Sequence, residues 1–314
     1  MHIFDAVALV APALVPTSRF DRPTLVYDGV EILAYNGLVT ARAPCDLDLD
    51  PFAVSGPLFQ SLVKSTSRVS IGEHRVTIFN GKARYYVNQN PFAIARKSVP
   101  DRMGADGTVV PLTQEFVDAV TRVKEFVSDN AVHLWAMSVF VSKRGMIATN
   151  NIALAFAPFP NEVEFSMPSS MIADLHVGRQ LVVSDTVVIL YDKETGQWLQ
   201  YHKLAQEAPA QLFTMIDTLV NGTISIEGLD EIVEALDKLP DATMASIENG
   251  EVAFTSEKHA NRAEHPFDAA LTFKMGVKGI RLLAKHATHV SDALCPSKLL
   301  FSGKDLRGIL VARY

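Results

Sequence analysis

With 314 residues, 48% hydrophobic and 20% charged, the chain has ample apolar material for buried cores and room for two or three units, which excludes a disordered or low-complexity protein. A formal charge of −6 excludes a uniformly basic nucleic-acid binder, yet residues 258–314 carry ten Lys/Arg against four Asp/Glu while the rest carry 19 against 31. Cys45 and Cys295 form no CxxC pair, Asp5 interrupts the apolar start, and no run of roughly 18 apolar residues occurs. Neither a disulfide framework, a zinc site, an export signal nor a membrane span is therefore expected, and a reducing cytoplasm fits.

In chain order, residues 5–14 predict a short helix ending before Pro16, and 24–27, 30–35 and 38–43 predict strands, the last two around an Asn36-Gly37 turn. A strand at 52–55 leads to a short helix over 57–64 begun by Pro57. Residues 68–89, RVSIGEHRVTIFNGKARYYVNQ, predict three strands with turns at Gly72-Glu73 and Asn80-Gly81.

In the middle third, Phe116, Val120, Val123 and Val127 recur on one helical face behind Thr113 as N-cap. Strands follow at 132–142 and 146–150 around Gly145, then a connecting strand near 161–166 and a short helix over 168–175. Strands at 181–184, 187–192 and 198–203 close this third, with a turn at Thr195-Gly196, so that Pro168 and Gly196 correspond to Pro57 and Gly81. Residues 205–210 suggest a linker. The last third predicts a strand at 223–226, a helix at 229–239, strands at 243–247 and 251–255 around Asn249-Gly250, and an extended lead at 269–274 into a helix at 276–287. Strands at 297–301 and 308–313 finish the chain. The order strand, helix, strands, helix, strands thus recurs three times, with the opening strand of the first repeat missing or very short. Gly37, Gly145 and Gly250, spaced 108 and 105 residues apart, mark the repeat and suggest domains at 1–107, 108–207 and 208–314.

Three features carry a family resemblance: ATNNIALA at 148–155, the preceding FVSDNAVHLWAMSVFV, and the chain end GILVARY. With the triple repeat, they resemble the bacterial β-type sliding clamp of replicative DNA polymerase, in the shorter form found among phage-encoded clamps. The resemblance implies an α+β chain of three tandem clamp domains, each a pair of βαβββ-like halves. Two chains would close head to tail into a ring with helices inside and sheets outside. Such a ring encircles duplex DNA, tethers a DNA polymerase, receives a clamp loader, and needs neither cofactor nor metal. Where the family has Gly-His-Arg, this chain has Asn151, Ile152 and Ala153.

A pore must attract phosphates without reading sequence. Lys278, Arg281 and Lys285 stand at i, i+3 and i+7, opposite Val277, Ile280 and Ala284, with Lys274 and His286 close by. Lys64, Arg68, Arg122 and Arg179 are further DNA-binding candidates, Arg122 sharing its face with Asp118 and Glu125. The resemblance also implies a pocket for a partner's short linear motif, at Thr149, Asn151, Leu154, Pro209, Ile309, Leu310 and Val311. Edge strands at 75–79 or 83–87 are expected to join the third domain of a second copy.

Catalytic signatures such as GxxxxGK[ST], HExxH and GxSxG do not occur. Asp46, Asp48 and Asp50 suggest a solvated loop rather than metal ligands, the histidines form no constellation, and Gln211-Leu212-Phe213 matches a clamp-binding peptide only by chance. The alternatives are a virion component built from β-rich repeats and, more distantly, a hydrolase without a recognisable motif.

Overall fold

The computed structural model describes residues 1–17, 21–128, 134–203, 210–256 and 262–312 of an α+β chain. Contacts divide it into two units, Met1–Val117 with Phe165–Ala205, and Asp118–Glu164 with Gln206–Tyr314. These units cut across the thirds of the sequence, because each long sheet joins strands from consecutive thirds.

The first unit holds an antiparallel sheet in the order Phe52–Ser55, Thr24–Tyr27, Glu31–Tyr35, Val39–Pro44, Trp198–His202, Val187–Tyr191, Gln180–Val183, Thr108–Val110. Several of these strands are continuous apolar runs rather than alternating ones, as expected where both faces are covered. Ala95 and Val99, from the helix Phe92–Ser98 and its end, cover Val26, Leu33 and Ala53. The joint between thirds pairs Thr40 with Gln200 and Arg42 with Trp198. Residues 100–103 lie over it. The Asp101 carbonyl accepts from Gln200 Nε2 (2.9 Å), Met103 N–H donates to Gln200 Oε1 (3.0 Å), and the Arg102 guanidinium stacks 4.0 Å above the Trp198 ring. A separate three-stranded sheet, Arg68–Ile71, Arg75–Asn80 and Ala83–Asn88, buries Val76, Ile78 and Val87.

In the second unit the joint sheet runs Ser138–Ser142, Gly145–Thr149, Ala153–Pro158, Leu306–Val311, Lys298–Gly303, His289–Ser291, Ile224–Ser225. Gly308 lies where the two thirds meet, paired with Ala155. A Cβ there would overlap the Leu154 carbonyl and the Phe301 ring, so close approach requires glycine. A four-stranded sheet runs Arg262–Pro266, Glu251–Thr255, Met244–Glu248, Phe273–Gly276, beside the helices Leu229–Glu234 and Val277–His286.

The structure corrects the sequence reading at several points. The repeat is real but its register differs in the first third: Gly145 and Gly250 turn the hairpins equivalent to that at Gly29, not Gly37. Gly37 instead matches Asn151. Asn36 Oδ1 accepts from the backbone N–H of Leu38 and Val39 (3.1 and 2.9 Å), as Asn150 Oδ1 does from Ile152 and Ala153 (3.2 and 2.8 Å). Both following residues are left-handed, at φ 86° and 72°. Asparagine is among the few residues that tolerate this conformation, which explains how Asn151 takes the place that Gly37 holds in the first third.

Strands at Ala153–Pro158, Arg262–Pro266, Thr108–Val110 and His289–Ser291, and helices at Phe92–Ser98 and Ala210–Asp217, escape the sequence reading. Residues 134–137 form a 3-10 turn rather than strand, the strand expected near 161–166 begins only at Phe165, and the lead at 269–274 becomes strand only from Phe273. Thr113 does cap its helix, accepting from the Phe116 N–H at 3.2 Å. Most of the 205–210 linker lies outside the described residues. Among the described residues no helix is long and apolar enough to cross a membrane.

Candidate functional site

The helix Val277–His286 buries Gly279, Ile280, Leu282 and Leu283, whose spacing defines its inner side. Lys278, Arg281 and Lys285 are exposed on the other side, as their spacing predicts. Ala284 is only half-buried, so Leu282 and Leu283, rather than Val277 and Ala284, complete the inner face with Ile280.

Lys285 is not an isolated charge. Its ammonium and the His286 imidazole, Nε2 at 2.9 Å, both meet the Glu125 carboxylate. Burial pushes the Glu125 carboxyl up, but hydrogen bonds and charge from Lys285 and His286 outweigh it and hold the group below the ordinary glutamate range. Arg122 pairs with Asp305 at 3.4 Å. Arg122, Lys285, His286 and Lys304 face Glu227 and Asp230 around a cavity of about 550 Å³, whose field is therefore mixed.

The remaining cations separate. Lys274 is exposed and pairs with Glu248 at 3.6 Å. Lys64 is exposed after the helix Gly56–Leu62. Arg68 projects from the face of the three-stranded sheet opposite the buried Val76, Ile78 and Val87, away from that unit's core. Arg179 is a poor DNA candidate: its side chain is only 7% exposed and meets Asp174 at 3.3 Å and Asp192 at 3.8 Å. Its guanidinium holds that corner together and is not available to a phosphate.

The second joint supplies an apolar floor. Leu154 sits directly opposite Ile309, and the two pack with Phe140, Ile147, Leu212 and Ile216, the last two from the helix Ala210–Asp217. Trp135, Phe213 and Met215 are half-buried against this cluster, and none of the three is among the pocket residues expected from the sequence. The apolar spacing of 212, 213 and 216 was the available signal. Leu310 is buried but, next to Ile309 on one strand, points to the opposite face, so it does not join the floor. Val311 is 38% exposed. Thr149 is buried and holds the turn, its hydroxyl donating to the Ala153 carbonyl at 2.7 Å and accepting from the Asn151 N–H. Asn151 is exposed. Pro209, His133 and His259 lie outside the described residues.

At the first joint, the positions equivalent to Leu154 and Ile309 are the polar Thr40 and Gln200, and residues 100–103 bind Gln200 there. The two joints share a backbone and differ in chemistry. Asp46, Asp48 and Asp50 are exposed, and among the described residues no group of three or more His, Cys, Asp or Glu is placed to hold a metal ion.

Two hairpin-built joints and repeated helix-backed sheets give the chain the fold of the bacterial DNA polymerase III β sliding clamps to which it is similar. The DNA polymerase sliding clamp of Bacillus subtilis superposes with a TM-score of 0.63 at 13% identity, covering 99% of this chain and 97% of that one. The Pseudomonas aeruginosa DnaN sliding clamp bound to griselimycin gives 0.61 at 12%, with 99% and 97% covered. The Helicobacter pylori β clamp bound to a DNA ligase peptide gives 0.59 at 11%, with 99% and 98% covered. At these identities the likeness shows the fold, which is a clamp's. No protein-family model and no curated protein matches the chain.

Proposed function

We propose that the protein is a sliding clamp, a ring of two copies that encircles duplex DNA and tethers a replicative DNA polymerase. The observation that carries this reading is a pair of open edges. Ala83–Asn88 is the topological equivalent of Trp198–His202 and Leu306–Val311, and Arg262–Pro266 is the equivalent of Val39–Pro44 and Ala153–Pro158. The four other strands pair to make the two joints. These two are sheet edges among the described residues, so a third joint of the same kind would link Arg262–Pro266 of one copy to Ala83–Asn88 of the next. Arg75–Asn80 is central in its sheet and takes no part. Two copies, each of three domains at 1–107, 108–207 and 208–314, would close the ring by heterologous contacts.

Function then follows from topology. Dissociation requires ring opening, so numerous weak phosphate contacts give long residence while permitting sliding, and no catalytic group is needed. Lys278, Arg281 and Lys285 supply the main contacts, with Lys274, Lys64 and Arg122 secondary. A polymerase, and a clamp loader, dock a short linear motif at the second joint, where Leu154 and Ile309 provide the floor and Trp135, Phe213 and Met215 the rim. The DNA ligase peptide on the Helicobacter pylori clamp supports motif docking on this fold. The setting is the cytoplasm of a bacterial or phage-infected cell.

Light scattering tests the assembly: the expected mass in solution is twice the 34.4 kDa of the chain. A strictly monomeric species at micromolar concentration would sink the ring.

A further inference from the structure

The three-stranded sheet of the first unit carries a second basic surface. Val76, Ile78 and Val87 fill its inner side, so alternation places Arg68, Arg75, Thr77, Phe79, Arg84 and Tyr86 together on the outer side. The register sets Phe79 between Arg68 and Arg84, and Tyr86 opposite Thr77. The Arg75 guanidinium lies 4.6 Å from the Tyr86 ring centroid, and that of Arg84 lies 5.8 Å from the Phe79 centroid. Tyr86 is 54% exposed.

No ion pair engages Arg68, Arg75 or Arg84 among the described residues, and residues 68–88 hold four Lys/Arg against Glu73 alone in a chain of net charge −6. Water solvates such exposed guanidiniums at little cost, and with no carboxylate engaged, two of the three lie on aromatic rings with their N–H edges open to an anion. A stacked guanidinium keeps its N–H edge for phosphate while its plane and the ring form a platform for a base. The face spans roughly 10 Å across the strands and roughly 13 Å along them, room for two or three unstacked nucleotides. A duplex would offer its phosphates but no unstacked base to the rings.

We propose that this face binds single-stranded nucleic acid, with phosphates on Arg68, Arg75 and Arg84 and bases against Tyr86 and Phe79. The site is distinct from the basic helix of the second unit and does not depend on ring closure.

Fluorescence anisotropy of the full chain with labelled oligothymidylate and oligouridylate of about 12 nucleotides tests it. Binding of either is expected, with a slope of log affinity against log salt of about −2 from three phosphate contacts; the two arms show which sugar is preferred. Arg75→Glu with Arg84→Glu should weaken binding at least about tenfold and flatten the slope. Tyr86→Ala should weaken it about tenfold while Tyr86→Phe retains it. Lys193→Glu, an exposed charge outside both basic surfaces, should leave it unchanged, Lys278→Glu with Arg281→Glu should weaken it less than the sheet variant does, and circular dichroism reports that each variant is folded.

Absence of binding to both oligonucleotides overturns the proposal. So does affinity that follows the helix variant instead of the sheet variant. Loss in the arginine variant without loss in Tyr86→Ala, with equal competition by polyglutamate, would mark a surface for acidic peptides and also overturn it. A protein that binds the oligonucleotides but is monomeric would refute the clamp and leave this site standing.

Discussion

Replacing Lys278, Arg281 and Lys285 together by glutamine removes three charges from the exposed side of Val277–His286 and leaves its anchors Ile280, Leu282 and Leu283 in place. Each phosphate contact on duplex DNA adds about 0.9 to the slope of log affinity against log salt, so the variant should lose up to about 2.7 from that slope for each helix engaged. Between about 50 and 200 mM salt, the upper value corresponds to roughly 40-fold less salt-induced loss of affinity than wild type. The structure refines the expectation for single variants. Lys285 already shares the Glu125 carboxylate, so Lys285→Gln alone should move the slope by less than about 0.9, whereas Glu125→Gln should release that ammonium and steepen the slope. Equilibrium binding to a short linear duplex, from which a ring can slide, measures the slope at several salt concentrations. A triple variant with the wild-type slope would refute the assignment of this helix as the main DNA contact.

Leu154 and Ile309 are 3% and 1% exposed, so Leu154→Ala or Ile309→Ala should cost about 2–5 kcal/mol by chemical denaturation, and a loss under about 1 kcal/mol would contradict their role as floor. For the same reason, removal of residues 309–314 strips half of a strand paired on both sides, and should unfold the joint rather than only weaken motif binding. At Asn151, φ 72°, glycine should be close to neutral and valine should destabilise by about 1–2 kcal/mol; equal stability of the two would contradict a left-handed turn. The Glu125 carboxyl is held low in the folded state, so its contribution is present above the ordinary glutamate value of 4.5 and is lost as pH falls through the lowered folded value. Glu125→Gln should flatten the dependence of stability on pH below about 4.5, and an unchanged acid limb would show that the carboxylate is not stabilised by Lys285 and His286.

The fold was most legible where its signals are local. The hairpins of residues 68–88 carry Asn-Gly and alternating apolar residues, and the helix beginning at Gln114 carries both its cap and its stripe. The joints were not legible, because Val39–Pro44 meets Trp198–His202, and Ala153–Pro158 meets Leu306–Val311, across about 150 residues of chain, and pairing at that distance leaves no periodic mark. The same remoteness hid Glu125 from Lys285, 160 residues away. Register also decides which neighbours cooperate: Ile309 joins Leu154 while Leu310 faces away, a distinction that apolar composition does not carry. Arg179 shows the limit for charges, since only the fold places Asp174 and Asp192 around it. The common exposure of Lys278, Arg281 and Lys285, by contrast, follows from their spacing on one helix.

The claim that two copies encircle DNA is tested most directly by an image of the particle by electron microscopy. The expected particle is a closed ring of two chains with a central opening that admits duplex DNA. A monomeric particle, or a dimer without an opening, would contradict it.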